Sequence, residues 1–464
     1  MRYLLALWIC KVTTWLLRAM HRGATALPGK LALSVCPDIL ARLASQFTVY
    51  VVTGTNGKTT TGLLMSSILE QQGVRYISNK SGSNLERGIV ACFAEGVKVS
   101  GRSKGATHAV IECDEAAFAK VAGKLNPAVV VVTNFFKDQL DRYGQVTATL
   151  NLVKTGAAKA VNATLVLNAD DPLCASIGRD LPNNAIYYGM DNSNGNIVDS
   201  SHSENEAGYC LYCHSKMDYA YNTYGHLGSY ACNQCGYSRP TPQVEMTEYS
   251  LTMDSAAFSY RVDQENYNCS INMSGLFNIY NAMGAIGMGL AIGAAPDHIN
   301  HALSKSQPGF GRMETVHFGN KAIRTILVKN SMGLNQVINY LISVNQSMTL
   351  CFAVNDHISD GEDISWLWDV NLECLSSIKD NLSAIYTCGI RGADMAVRLK
   401  YAGLDTDVVY DNSLDGEGSI PIVVQRALEQ MEEGGTLVVL PSYSAMLAVR
   451  SFLQEKIDMK EFWN

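Results

Sequence analysis

The sequence has no excess of basic residues, and this absence argues against a polyanionic partner. Its 36 Lys and Arg residues are outnumbered by 43 Asp and Glu residues, which gives a formal net charge of −7. A protein that binds duplex DNA or RNA usually concentrates positive charge on one face. Nucleic acid is therefore not an expected ligand.

The sequence also lacks an uninterrupted apolar run of membrane-spanning length. Residues 3–10 are almost entirely apolar, but Lys11 and Arg18 interrupt the run well short of the roughly 20 residues that a span requires. No small-residue cleavage site follows before Arg22, so a secretory signal peptide is not expected either.

This first segment predicts an amphipathic helix instead. Apolar side chains recur at helical spacing at Leu5, Trp8, Val12, Trp15 and Leu16. One interpretation is that the helix packs on the domain that follows it. The other is that the helix lies against a membrane surface, with Lys11, Arg18 and Arg22 supplying its polar face.

Length and composition predict a multidomain globular protein. At about 150 residues per domain, 464 residues correspond to two or three domains. Hydrophobic residues make up 47% of the chain and charged residues 17%, which is enough apolar material for several cores. In a chain of this length, thirteen cysteines fit a reducing cytoplasm better than a disulfide scaffold, and they raise the question of metal binding.

The clearest motif is a glycine-rich loop between a predicted strand, residues 47–52, and a predicted helix, residues 62–72. The loop reads Gly54, Thr55, Asn56, Gly57, Lys58, Thr59 and Thr60. A strand that leads through such a loop into a helix start directs backbone N–H groups and the helix dipole at one point, where phosphates bind. Lys58 can neutralise the terminal phosphates of ATP, and the Thr59 hydroxyl can ligate Mg²⁺. The loop is a shorter variant of the Walker pattern.

Three more predicted strands end in polar residues, at the edge where parallel sheets bind ligands. Residues 107–112 lead to Glu115, which is the candidate for the Mg²⁺-linked phosphate chemistry, although a surface charge is the alternative. Residues 128–132 lead into the polar stretch 133–141. Residues 165–167 lead to Asp170 and Asp171, and this acidic turn could equally be a helix cap.

Two C-x-x-C pairs predict a structural zinc site. Cys210 and Cys213 form the first pair, and Cys232 and Cys235 form the second after 18 residues, which is a suitable spacing for a four-cysteine site. Four thiolates complete a tetrahedral shell and leave no position for water, so the zinc would be structural. The surrounding residues 191–243 are rich in Ser, Asn, Gly and Tyr, as expected of an insertion that has no core of its own.

The last third of the chain predicts a second open α/β sheet. The predicted strands are residues 322–328, 348–354, 382–387, 407–410 and 436–440. Polar residues follow four of them, at 329–330, 355–356, 389–391 and 441–444, where such sheets expose functional groups.

The glycine loop, residues 112–115, 133–141 and 168–171 together resemble the central domain of the Mur ligase family. Residues 275–281, which contain Asn278, resemble the family's asparagine motif, and residues 311–314 resemble the arginine motif that opens its third domain. The resemblance implies that Asn278 contacts the nucleotide and that Arg312 reaches its phosphates. Gln139 departs from the pattern, which often has histidine there, and this weakens the transfer of metal ligands to that stretch.

Within this family the chain resembles the MurT group through the four cysteines, residues 355–366, 394–401 and 441–447. The resemblance implies a ligase subunit of lipid II isoglutaminyl synthase, which uses ATP to amidate the α-carboxylate of D-glutamate in the stem peptide of lipid II. It also implies a GatD-type glutaminase partner that supplies ammonia. The ligase would lend an acid to the glutaminase's catalytic histidine, and Asp356 is the candidate, with Asp360, Glu362 and Asp363 left open.

The resemblance implies an α/β fold with a Mur ligase-like central P-loop domain, a zinc-ribbon insertion and a C-terminal Rossmann-like α/β domain. The expected division is residues 1–46 as a helical segment, 47–305 as the ATP-binding domain with its insertion at 191–243, and 306–464 as the domain that contacts the glutaminase. Two other functions remain as alternatives. One is a conventional Mur or folylpolyglutamate-type ligase that adds an amino acid, and the other is a non-enzymatic zinc-ribbon protein that uses ATP as a switch.

Overall fold

A nine-stranded sheet forms the centre of the first two thirds of the chain. The computed structural model describes residues 2–20, 26–79, 83–137, 146–191, 207–309, 311–404, 408–411, 414 and 416–457. The strands of this sheet are β1 (Thr48–Thr53), β2 (Tyr76–Ser78), β3 (His108–Glu112), β4 (Val129–Val132), β5 (Thr164–Asn168), β6 (Ala185–Met190), β9 (Val244–Leu251), β10 (Ala256–Val262) and β11 (Glu265–Ile271). Their order is β11-β10-β9-β6-β5-β4-β1-β3-β2. The part from β9 to β2 is parallel, and β9, β10 and β11 form an antiparallel meander.

Helices cover both faces of this sheet. They are α1 (Arg2–Ala19), α2 (Leu27–Val35), α3 (Ile39–Ala44), α4 (Lys58–Gln71), α5 (Glu86–Gly96), α6 (Glu115–Leu125), α7 (Val146–Lys159), α8 (Pro172–Asp180), α9 (Leu276–Ala291) and α10 (Pro296–Lys305). Alternation along β1 divides the core: Val49 and Val51 face one apolar cluster, whereas Tyr50 and Val52 face the other. Because both faces are covered, the central strands are continuous apolar runs.

The predicted strands of this region are confirmed to within one or two residues at each end, but helix α4 begins earlier than predicted. The expected start was residue 62, whereas the helix begins at Lys58. The sequence 58–61 has no apolar periodicity of its own, so the earlier start could not be read from hydrophobic pattern. Part of the polar stretch 133–141, including Asp138 and Gln139, lies outside the described residues.

Helix α1 packs on the following domain, although not through the predicted apolar stripe. Its buried side chains are Ala6, Leu7, Cys10 and Thr14, whereas the five residues of the predicted stripe are exposed or largely exposed. Small side chains allow close approach, and Lys11 Nζ donates hydrogen bonds of 2.7 Å to the carbonyls of Ala94 and Val97 at the end of α5. In the part of the chain that the structure describes, no helix combines the length and apolarity needed to cross a bilayer.

A six-stranded sheet forms the last third of the chain. Its strands are β12 (Arg312–Phe318), β13 (Lys321–Ile326), β14 (Met348–Ala353), β15 (Leu382–Cys388), β16 (Val408–Val409) and β17 (Thr436–Pro441), in the order β12-β13-β17-β14-β15-β16. Only β12 is antiparallel to its neighbour. Helices α11 (Ser331–Val344) and α12 (Gly392–Tyr401) with 3-10 segments cover one face, and α13 (Ser419–Gln430) and α14 (Tyr443–Gln454) cover the other. The predicted strands are confirmed, apart from Asp407, which lies outside the described residues.

A two-stranded hairpin packs against the first domain where the insertion was expected. Its strands are β7 (Asp218–Tyr224) and β8 (Leu227–Ala231), which pair antiparallel. A small apolar cluster at its base contains Cys210, Met217, Tyr230 and Cys232. Residues 192–206 of the predicted insertion lie outside the described residues.

The contact between α2 and α5 is close enough to require glycine. A Cβ atom at Gly29 would lie 1.7 Å from the carbonyl oxygen of Arg87, so the two backbones would have to separate. We expect Gly29→Ala to lower the free energy of unfolding by about 1–3 kcal/mol, the usual cost of overpacking. Thermal unfolding followed by circular dichroism measures the change.

The matched control is Gly123→Ala in α6, where the nearest atom to the new Cβ would be 3.7 Å away. This substitution should leave the midpoint of thermal unfolding unchanged or raise it, because alanine is more favourable than glycine in a helix interior. Equal midpoints for Gly29→Ala and Gly123→Ala would contradict the tight packing of α2 on α5.

Candidate active site

The glycine loop runs from the end of β1 into α4, and two of its glycines are required by its geometry. Gly54 has φ +115° and a Cβ there would lie 2.4 Å from Thr133 Oγ1. Gly57 has φ +86°, and its Cβ would lie 2.0 Å from Asn281 Oδ1. No side chain caps α4 at its N-terminus. The positive end of the helix dipole therefore faces the cleft that the loop borders.

Two carbonyl oxygens of the loop and one carboxylate hold the Lys58 side chain in place. Its Nζ donates to the carbonyls of Gly54 and, at 3.0 Å, Thr55, and it forms a 3.2 Å ion pair with Glu115 Oε1. Burial raises the pKa of Glu115, while the Lys58 ammonium acts in the opposite direction. The predicted site residue Glu115 therefore forms an ion pair with the lysine of the loop.

A second carboxylate, Glu112, lies beside the threonine that was predicted to ligate Mg²⁺. The Thr59 hydroxyl donates a 2.8 Å hydrogen bond to Glu112 Oε2, and Arg312 Nη2 approaches the same hydroxyl at 3.4 Å. Burial lowers the pKa of Arg312 and the nearby Glu112 opposes that shift. A guanidinium remains charged across the accessible pH range, so this corner holds a permanent positive charge.

Asparagine side chains fix the shape of the loop. Asn134 Oδ1 accepts from the backbone N–H of Asn56 at 3.0 Å. Asn330, at the start of α11, donates to Asn56 Oδ1 at 3.1 Å and so joins the second sheet to the loop. On the other side, Asn281 donates to Asn278 Oδ1 at 3.1 Å, and Asn278 donates to the carbonyl of Ser274 at 2.7 Å.

These residues border a cleft of about 1010 Å³ between the two large sheets. Of the predicted site residues, the cleft brings together Thr55, Asn56, Gly57, Lys58, Thr59, Thr60, Glu115, Asn278 and Arg312. The second sheet contributes Lys329, Asn330 and Asp360. Gly54 lies at the base of the loop, and neither Asp356 nor the four cysteines line the cleft.

Sequence reasoning did not select Glu112, Asn134, Asn281 or Asn330 as site residues. Glu112 ends β3 opposite Val52 of β1, so the sheet register places it beside the glycine loop. A strand-end carboxylate was the available signal, but Glu115 was preferred three residues later. Asn281 and Asn330 reach the loop through tertiary packing, for which no local pattern exists.

The two aspartates of the acidic turn after β5 make buried hydrogen bonds within the first domain. Asp171 caps α8 by accepting from the backbone N–H groups of Leu173 and Cys174 at 2.8 and 3.2 Å, which is the cap alternative noted from the sequence. Asp170 is fully buried, and it accepts from Arg239 and Tyr280 at 2.6 Å each. Burial raises the pKa of Asp170, and the Arg239 charge counteracts this.

Asp356 follows β14, an interior strand, at the carboxyl end of the second sheet and does not line the cleft. Its Oδ2 accepts from Arg391 Nε at 2.8 Å and lies 2.6 Å from Arg391 Nη2, and its side chain is 19% exposed. Asp360 is more buried and accepts two 2.7 Å hydrogen bonds from Ser444. Hydrogen bonds from the Ser365 side chain and from its backbone N–H lower the pKa of Asp363. The partly exposed Arg391 therefore orients the Asp356 carboxylate.

The four predicted cysteine ligands come together at the base of the hairpin. All four Sγ atoms lie within 4.8 Å of one another, with Cys210 and Cys235 at 3.5 Å and Cys213 and Cys232 at 3.4 Å. A tetrahedral ion with Zn–S bonds of about 2.3 Å separates its ligands by about 3.8 Å. The cluster is therefore compatible with zinc.

Comparison with known proteins decides the family. Residues 52–232 match the Mur ligase middle domain, and residues 327–446 match the MurT ligase C-terminal domain. The chain is 32% identical to the lipid II isoglutaminyl synthase (glutamine-hydrolyzing) subunit MurT of Streptococcus pneumoniae strain R6, over 97% of this chain and 96% of that protein. It is 31% identical to the MurT subunit of Staphylococcus aureus strain COL, over 99% of each chain. The chain belongs to the MurT family.

Solved Mur ligase structures share the MurT-family chain's fold. A pseudomurein peptide ligase type C from Methanothermus fervidus superposes with a TM-score of 0.68 at 21% identity, covering 91% of this chain and 81% of that one. A D-alanyl-D-alanyl-adding Mur ligase from Acinetobacter baumannii gives 0.65 at 16% identity, covering 92% and 80%. Both support the Mur ligase-like α/β fold predicted from the sequence.

The geometry of Gly57 in this MurT-family loop gives a direct prediction. Gly57→Ala places a Cβ against Asn281 and disfavours the left-handed backbone, so the loop must change shape. We expect ATP affinity to fall about tenfold or more, since a 1.4 kcal/mol loss is already tenfold. Equilibrium binding of a fluorescent ATP analogue measures it.

Gly123→Ala in α6 is the control, because its Cβ would meet only Lys159 Cβ at an ordinary 3.7 Å and Gly123 does not line the cleft. Its ATP affinity should match that of the unsubstituted chain. If Gly57→Ala binds ATP as tightly as Gly123→Ala, the loop is not the nucleotide site.

Proposed function

We propose that the chain is the ligase subunit of a lipid II isoglutaminyl synthase. It would use ATP to convert the α-carboxylate of D-glutamate in the lipid II stem peptide into an amide, with ammonia from a GatD-type glutaminase. The observation that carries the proposal is the cleft between the two sheets, where Lys58, Arg312 and two carboxylates converge on the start of α4. The names of the MurT relatives supply the substrate.

The proposed reaction has two steps. A carboxylate oxygen of the substrate attacks the γ-phosphorus of ATP, and the bond to the β-phosphate oxygen breaks to give an acyl phosphate and ADP. Ammonia then attacks the acyl carbon, loses a proton, and expels phosphate. The charge that develops on the transferred phosphoryl group is what a buried lysine and arginine stabilise best.

Lys58, Arg312 and the start of α4 would hold the ATP phosphates. The ammonium already binds carbonyl oxygens of the loop, so it is oriented before nucleotide arrives. Thr59, Glu112 and Glu115 provide hard oxygen ligands of the kind Mg²⁺ prefers. Magnesium, when bound, would neutralise phosphate charge during transfer. Asn278 would border the nucleotide from the other side of the loop.

Ammonia would reach the cleft from a glutaminase docked on the second sheet. A glutaminase of this type needs an acid behind its catalytic histidine, and an acid oriented by a hydrogen bond serves that purpose. Asp356 stands at the carboxyl end of the second sheet, and Arg391 contacts only its Oδ2 in the described hydrogen bonds. We assign the lent acid to Asp356.

Zinc would be structural and would stabilise the hairpin β7–β8. The cysteines lie at its base, while its tip reaches the active-site region. At the tip, His226 Nε2 lies 3.2 Å from Asp171 Oδ1, and the His226 ring contacts Phe136. Tyr224 of the hairpin lines the cleft. Loss of zinc would therefore loosen one wall of the cleft as well as the hairpin itself.

The proposed location is the cytoplasm, at the inner face of the membrane. ATP and glutamine are cytoplasmic substrates, and a lipid-linked acceptor restricts the reaction to the membrane surface. Thirteen cysteines, none of them in a disulfide in the described residues, fit a reducing compartment.

Reconstitution tests the proposal. The chain is purified with its glutaminase and supplied with lipid II, ATP, Mg²⁺ and glutamine. The expected product is lighter by the difference between a hydroxyl and an amino group, and its formation requires ATP. Addition of an amino acid to the stem peptide would instead indicate a conventional Mur or folylpolyglutamate-type ligase. ATP binding without any product would indicate a non-enzymatic zinc-ribbon protein that uses ATP as a switch.

Asp356→Asn should separate the two half-reactions. Glutamine-dependent amidation should fall by about 10³-fold or more, because an amide cannot stabilise the cationic histidine. Amidation from added ammonium chloride should change little. Lys58→Ala should abolish both, since carboxylate activation fails without the loop lysine. Coupled ADP release and product mass measure both reactions.

Asp394→Asn is the control for Asp356→Asn. Asp394 lies 3.6 Å from the same arginine, so its loss disturbs Arg391 without removing the proposed acid. It should keep both activities. Equal loss of the glutamine and ammonia reactions in Asp356→Asn would refute the lent-acid role.

Substitution of a cluster cysteine should remove zinc. The purified chain should contain about one zinc ion, and Cys232→Ser should lose it and unfold at a lower temperature. The remaining folded fraction should show a higher KM for ATP, because the hairpin tip borders the cleft. Cys374→Ser, a thiol outside the cluster, should keep the metal. Full zinc content in Cys232→Ser would contradict the four-cysteine site.

A further inference from the structure

Helix α1 presents an apolar stripe outward, whereas Ala6, Leu7, Cys10 and Thr14 on its other side are buried. Trp8 is 57% exposed, Val12 54% and Trp15 68%, and Leu5 lies on the same side. Leu27 and Leu31 of α2 are also exposed. We name these six residues the N-terminal apolar face. A contiguous patch of this kind marks an interaction site, because single exposed apolar residues do not cluster along a helix.

The orientation of the face is fixed by contacts on the opposite side of α1. Ala6, Leu7 and Cys10 are buried against the first domain. Lys11 is tied to the carbonyl oxygens at the end of α5, and Arg18 forms an ion pair with Glu95. The helix therefore cannot turn its tryptophans inward without breaking these bonds.

The charge around the face identifies its occupant. Residues 1–37 contain five Lys and Arg residues and no Asp or Glu, whereas the whole chain carries −7. Tryptophan and aliphatic side chains flanked by cations are the combination that binds an anionic lipid surface. No described helix is long and apolar enough to cross a bilayer, so the helix would lie in the interface plane.

The face also stands close to the cleft. Gly29 of α2 lies against the carbonyl of Arg87, in the first turn of α5. Leu85, two residues earlier, lines the cleft and is itself exposed. A lipid surface on α1 and α2 would therefore lie on the side of the first domain where Leu85 borders the cleft.

We propose that the N-terminal apolar face inserts into the headgroup region of an anionic membrane and holds the cleft against it. Trp15 enters the interface with the aliphatic residues, the exposed part of Trp8 contacts it, and the exposed Arg2 and Lys30 contact lipid phosphates. The benefit of this docking rests on the proposed function, since it matters for a lipid-linked substrate. Binding of the N-terminal apolar face to a membrane does not itself depend on the proposed function.

Vesicle sedimentation of the complex with its glutaminase tests the proposal. The complex should bind vesicles of equal parts phosphatidylglycerol and phosphatidylcholine, and bind phosphatidylcholine alone much more weakly. Val12→Glu combined with Trp15→Glu should reduce binding to the mixed vesicles about tenfold or more. Both positions are exposed, so the fold should be retained, and Trp8 is left in place because its Nε1 donates to Val99 O.

The matched control is Val161→Glu combined with Ile422→Glu, two exposed aliphatic residues elsewhere that undergo the same change of charge. It should bind vesicles like the unsubstituted complex. Equal vesicle binding by the two double variants, or none by the unsubstituted complex, would overturn the proposal. A complex mass that halves only in the α1 variant would overturn it too, because the face would then join two copies.

Activity assays separate this proposal from the proposed function. With a water-soluble lipid II analogue, the α1 variant should turn over at the unsubstituted rate. With full-length lipid II in vesicles its rate should fall in step with binding. Failure of the unsubstituted complex on both substrates would refute the proposed function and leave the vesicle result standing.

Discussion

The position of the Lys58 ammonium is the constraint on which the rest of the site depends. A buried lysine is costly unless its charge is compensated, and here two loop carbonyls and Glu115 compensate it. This arrangement requires the loop to curl, which in turn requires Gly54 and Gly57 in conformations that other residues disfavour. The neighbouring asparagines then lock the curled loop to both sheets. The result is a recess in which the loop lysine and the start of α4 are oriented before any ligand enters it.

The hairpin β7–β8 links the cysteine cluster to this recess. At about 3.3 Å per residue, its seven-residue strand spans roughly 20 Å from the cysteines to the tip. The tip joins a network of buried groups: Thr223 and Tyr280 share a 2.9 Å hydrogen bond, and Tyr280 donates to Asp170. The insertion has no large core of its own. The four-cysteine cluster orders it at one end, and contacts with the first domain order the tip. Its sequence position gave no hint that it reaches the cleft.

Much of the fold could be predicted from the sequence, because buried parallel strands such as β4 are continuous apolar runs bounded by polar residues. The glycine loop and the cysteine spacing were equally local signals. The start of α4 was missed because residues 58–61 are polar, and the helix there is fixed by the loop. The packing face of α1 was missed for a different reason. Small residues and one lysine dock the helix, so the larger apolar side chains that dominate the pattern are left outside. Glu112 and Asn330 needed the sheet register and the domain contact, which no local pattern contains.

We propose that the cleft activates a carboxylate by transferring a phosphoryl group to it. The phosphoryl transfer can be followed through the transfer of labelled oxygen from the carboxylate to phosphate. The stem peptide of lipid II is prepared with heavy oxygen in the D-glutamate α-carboxylate, and the phosphate released with ATP, ammonium and the purified complex is examined by mass spectrometry. We expect one labelled oxygen in each released phosphate, and as much labelled phosphate as amide. Amide formation with unlabelled phosphate would contradict the proposal.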